Sequence, residues 1–68
     1  MELTNETKAA IINQKLTSWS QQQYSFSLDA KVAKIAGDEN MLTNVKTQLK
    51  TVIAAIDILT EELDKLNK

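Results

Sequence analysis

IAGDEN, Ile35–Asn40, decides the fold. Gly37 is the only glycine of the chain, and Asp38 follows it. Glycine ends helices readily because it tolerates positive φ. Aspartate starts them by accepting a hydrogen bond from a free backbone N–H. Glu39 then falls in a first turn, where the helix dipole favours an acid. The six residues read as helix end, tight turn and helix start.

Both sides of the turn carry a helical seam. Downstream, Leu42, Val45, Leu49, Val52, Ile56, Leu59, Leu63 and Leu66 alternate in steps of three and four. That spacing keeps one face toward a partner helix. Upstream, Ala9, Ile12, Leu16, Trp19, Gln23, Phe26, Ala30 and Ala33 form a matching row. Folded at Gly37-Asp38, the rows pair from Ala33 with Leu42 out to Ala9 with Leu66, each pair of numbers summing to 75. The expected fold is all-α: an antiparallel, coiled-coil-like two-helix hairpin in one domain, 1–68. Helix 1 is expected over about 4–36, the turn at 37–38 and helix 2 over about 39–67. Thr4 or Asn5 caps helix 1, with Glu6 in its first turn.

The least helix-like stretch is SWSQQQYSFS, Ser18–Ser27. Serine competes for backbone hydrogen bonds and is a mediocre helix former. Yet Trp19, Gln23 and Phe26 keep the phase, and no turn dipeptide interrupts them. Helix is the expectation, with a kink left open. Gln23, the polar member of the seam, either bends toward solvent or fixes register; the first is preferred.

A second stripe is left over. Tyr24, Leu28, Val32 and Ile35 recur in steps of four, four and three, nearly opposite Phe26, Ala30 and Ala33. Helix 2 echoes this at VIAAIDIL, Val52–Leu59. A lone hairpin buries one face of each helix, not two. Either the pairing shifts to Ile35 with Leu42, Val32 with Val45 and Leu28 with Leu49, or hairpins associate. Association is preferred, because large exposed apolar patches mark contact surfaces. It gives a dimer or higher oligomer, most simply a four-helix bundle, with Tyr24, Leu28, Val32 and Ile35 at the contact and Ile53 and Ile58 joining from helix 2.

Composition narrows the chemistry. The chain has 68 residues, eight lysines and nine acids, and neither arginine, cysteine nor histidine. Small chains usually need disulfides, metal or partner subunits. Without cysteine or histidine, subunits are the expected staple. Nucleic-acid binders show a basic excess and use arginine, so no nucleic-acid partner is expected. The N-terminal MELTNETK lacks the pattern of a signal peptide. Val52–Ile56 falls far short of the roughly 20 apolar residues that span a bilayer. A soluble, cytoplasmic protein is expected, in the host cytoplasm if viral.

No catalytic, cofactor or metal site is expected. Asp57, Glu61 and Asp64 lie about a turn apart, but Glu61 precedes Lys65 by four residues and Asp64 precedes Lys68, the favourable order for exposed ion pairs. Serines 18, 20, 25 and 27 have no histidine to activate them. Lysines 31, 34, 46 and 50 occupy polar positions. A phosphate-cradling loop normally needs more than one glycine.

The opening MELTNETKAAIINQKL, the tyrosine-containing middle, the short turn and the apolar helix ending in EELDKLNK resemble the small helical-hairpin proteins of marine tailed phages. Threonines 43, 47, 51 and 60 depart from the alanine-rich helices usual there. The resemblance implies a viral accessory or assembly protein with no activity. Two functions follow. One is a non-enzymatic, self-associating structural module. The other is a small adaptor or inhibitor that docks Tyr24, Leu28, Val32 and Ile35 into the groove of an unknown host protein.

Overall fold

A computed structural model describes residues 2–67. It is an antiparallel hairpin of two helices, α1 (Asn5–Ala36) and α2 (Glu39–Leu66). At 1.5 Å per residue the 32 residues of α1 span about 48 Å. The hairpin is 51 Å long and 19 by 14 Å across, so its length is that of one helix.

The turn is built as IAGDEN implies. Gly37 adopts the left-handed conformation, φ 70° and ψ 22°. Its N–H donates to the Lys34 carbonyl at 3.3 Å, and the Asp38 N–H donates to the Ala33 carbonyl at 3.0 Å. These two bonds form a Schellman motif, which satisfies carbonyls the end of α1 would otherwise leave free. Asp38 then opens α2, its Oδ1 accepting from the Met41 N–H at 3.0 Å. At the other end Thr4, rather than Asn5, caps α1. Its Oγ1 accepts from the Thr7 N–H at 3.1 Å. Helix α2 stops at Leu66, and the Asn67 N–H donates to the Asp64 carbonyl at 3.1 Å.

The interior of the hairpin is the seam formed by the two matching rows. Ala33, Val45 and Val52 are buried. Every other member of the two rows, Gln23 included, is half-buried. The shifted pairing is absent: Leu28, Val32 and Ile35 are all exposed, while Phe26 stays in the seam. The small side chains of Ala30 and Ala33 let the helices approach where they enter the turn. Gln23 resolves in favour of solvent. Among the described residues no buried side-chain nitrogen or oxygen lacks a partner. The bond recorded at Gln23 engages only its backbone carbonyl.

SWSQQQYSFS is unbroken helix. The Ser27 hydroxyl, half-buried beside the seam, donates to the Gln23 carbonyl at 2.9 Å. Just upstream, Thr17 does the same to Asn13 at 3.0 Å. Ser18, Ser20 and Ser25 are exposed to water. Packing of Trp19 and Phe26 on α2 overrides the weak propensity around them, as tertiary context routinely does.

Candidate interaction surface

The surface is made by the phase of α1. Ala30 and Ala33 face α2. Leu28 lies two residues before Ala30, about 200° around the helix. Leu28 therefore points away from α2, and Tyr24, Val32 and Ile35 share its side. Their exposures are 68% for Tyr24, 42% for Leu28, 59% for Val32 and 89% for Ile35. An isoleucine at 89% exposure presents nearly its whole side chain to water.

Ile53 and Ile58 are also exposed, at 46% and 61%. They do not form one patch. Five residues put them about 140° apart around α2, so a single flat contact takes one or the other. Both lie on α2, across the hairpin from the outward face of α1.

Charge is missing from the upstream end of the stripe and the turns before it. Leu16–Leu28, LTSWSQQQYSFSL, contains no charged residue. Exposed faces in this stretch carry serine, threonine, glutamine and tyrosine. Depletion of charge marks the core of protein–protein interfaces. The charges of α1 lie on either side of that stretch; downstream, Asp29, Lys31 and Lys34 alternate in sequence with Val32 and Ile35, and Lys31 stands at the margin of the stripe.

Other apolar exposure was less legible in the sequence. Leu3 and Ile11 are 53% and 39% exposed. With Leu59 and Leu66 they line an open depression of about 390 Å³ near the free ends of the helices. The signal was the isoleucine pair Ile11-Ile12, since two adjacent residues cannot both enter one seam. Met41 beside Leu42 repeats it at the turn, with 36% exposure.

Helix α2 shows one ion pair among the described residues, beside the row Asp57, Glu61 and Asp64 rather than within it. Lys65 Nζ reaches Glu62 Oε1 at 3.3 Å across an i,i+3 spacing. This corrects the expected Glu61–Lys65 pairing: Glu62 captures Lys65. The expected partner of Asp64, Lys68, lies outside the described residues. Both members of the observed pair are more than half exposed, where such a pair contributes about 0–1 kcal/mol. Among the described residues no three acidic side chains converge in a way that could hold a metal ion. No helix there is long and apolar enough to cross a membrane.

Comparison with protein-family models, with curated proteins and with solved structures gives no match.

Proposed function

We propose that this chain is a non-enzymatic structural module that works by associating with itself through the outward face of α1. The observation that carries the reading is the exposure of Tyr24, Leu28, Val32 and Ile35 on one side of one helix. Fully burying an aliphatic side chain stabilises by roughly 1.5–3 kcal/mol. Several such anchors from each of two chains offset an association cost of about 4–15 kcal/mol. Tyr24 suits the rim, where its ring packs and its hydroxyl stays wet. The serines and glutamines beside it line the margin. The resemblance to phage hairpins supports an accessory or assembly setting for such a module.

The double substitution Leu28→Glu and Val32→Glu tests the reading. Its sites are exposed in the single hairpin, so the changes act on the helix mainly through loss of the partner that supports it. Four glutamates in a two-fold contact would be buried facing like charges. The expected result is a monomer that is less helical at equal concentration. A variant that keeps the mass and helicity of the parent in solution overturns the reading.

A further inference from the structure

Resting on the self-association just argued, the geometry points to a layer order for the assembly. A second copy of the chain covers the outward face of α1, and the four helices lie in the order α2, α1, α1, α2. The two α1 helices are inside and the two α2 helices outside.

Area supplies the first argument. A compact folded monomer of this mass exposes about 4,300 Å². The hairpin exposes 5438 Å². The surplus is roughly 1,100 Å², and a standard interface removes about 800 Å² from each partner. Covering one long helix face of each chain is therefore the amount of burial that returns the chain to the surface ordinary for its size.

Direction supplies the second. In a closed four-helix bundle each helix turns two adjacent faces toward its neighbours. The apolar faces of α1 are opposite, with Ala30 and Ala33 on one side and Leu28 and Val32 on the other. Opposite faces build a layer, with α1 between its own α2 and the next chain. The outward face of α2 offers no equal: exposed Ile58 stands there with Ala54, Asp57, Glu61 and Lys65.

Charge supplies the third. A two-fold contact sets a surface against its own copy, so any charge near its centre meets its like. The line from Tyr24 through Leu28 and Val32 to Ile35 has none. Lys31, at the margin, keeps its ammonium in water by extending its stem.

The chain has no cysteine, so single cysteines accept spin labels cleanly. Lys31→Cys labels the margin of α1, and Thr43→Cys labels the outer side of α2 at nearly the same height. Both positions are exposed. Distances between the labels of two chains are read by pulsed dipolar spectroscopy. Helix layers are 8–10 Å apart, so the Thr43→Cys distance should exceed the Lys31→Cys distance by about 16–20 Å. Equal distances in a dimer overturn the layer order and leave self-association standing. A monomeric mass with no interchain signal overturns both.

Discussion

The Asp38 amide donates to the Ala33 carbonyl at 3.0 Å, across a glycine at φ 70°. That bond closes α1 and points the chain back along it. Ala33 is also the least exposed residue of α1, at 1%, so the same residue anchors the turn and begins the seam.

Gly37→Ala should destabilise the hairpin by about 1–2 kcal/mol, the cost of a left-handed conformation for a residue with a Cβ. A Cβ there would meet nothing within 4 Å, so the loss is conformational rather than steric. Urea denaturation at fixed protein concentration measures it. Gly37→Asn should lose less, since asparagine tolerates that region. Equal stability of all three proteins would show that the turn does not depend on positive φ.

A disulfide between Ala33→Cys and Leu42→Cys should form within one chain. The two positions start the seam on either side of the turn. Mass spectrometry after mild oxidation, under denaturing conditions, distinguishes the products. Bridges found only between chains would mean that the helices are exchanged rather than folded back.

Leu59→Ala should lower the melting temperature far more than Glu62→Ala. Leu59 is half-buried in the seam, and losing a core leucine costs about 2–5 kcal/mol, with the low end fitting partial burial. Glu62 loses only an exposed ion pair, with an effect below about 1 kcal/mol. Comparable shifts from the two would give the Glu62–Lys65 pair a structural role that its exposure does not explain.

The hairpin was legible in the sequence because its signals are local and periodic. One glycine before an aspartate marks a turn. Two heptad rows with a constant sum mark an antiparallel register. Choosing between the two stripes of α1 was harder, since Leu28, Val32 and Ile35 are larger than Ala30 and Ala33 and would bury more. The turn settles it: Gly37 takes the left-handed conformation that ends α1, and a shift of one residue would take glycine out of the position that needs positive φ. Capture of Lys65 by Glu62 rather than Glu61 was not legible. Both acids lie within reach of a flexible side chain, and exposed pairs differ little in energy.

Self-association is tested most directly by the mass of the unmodified protein in solution. Sedimentation equilibrium at ~100 μM suits the purpose, because even a micromolar dimer is mostly assembled there. The account predicts a folded species of at least twice the 7.6 kDa chain mass, shifting toward monomer on dilution. A folded, helical monomer at that concentration would contradict it, and would leave the outward face of α1 for a partner other than this chain.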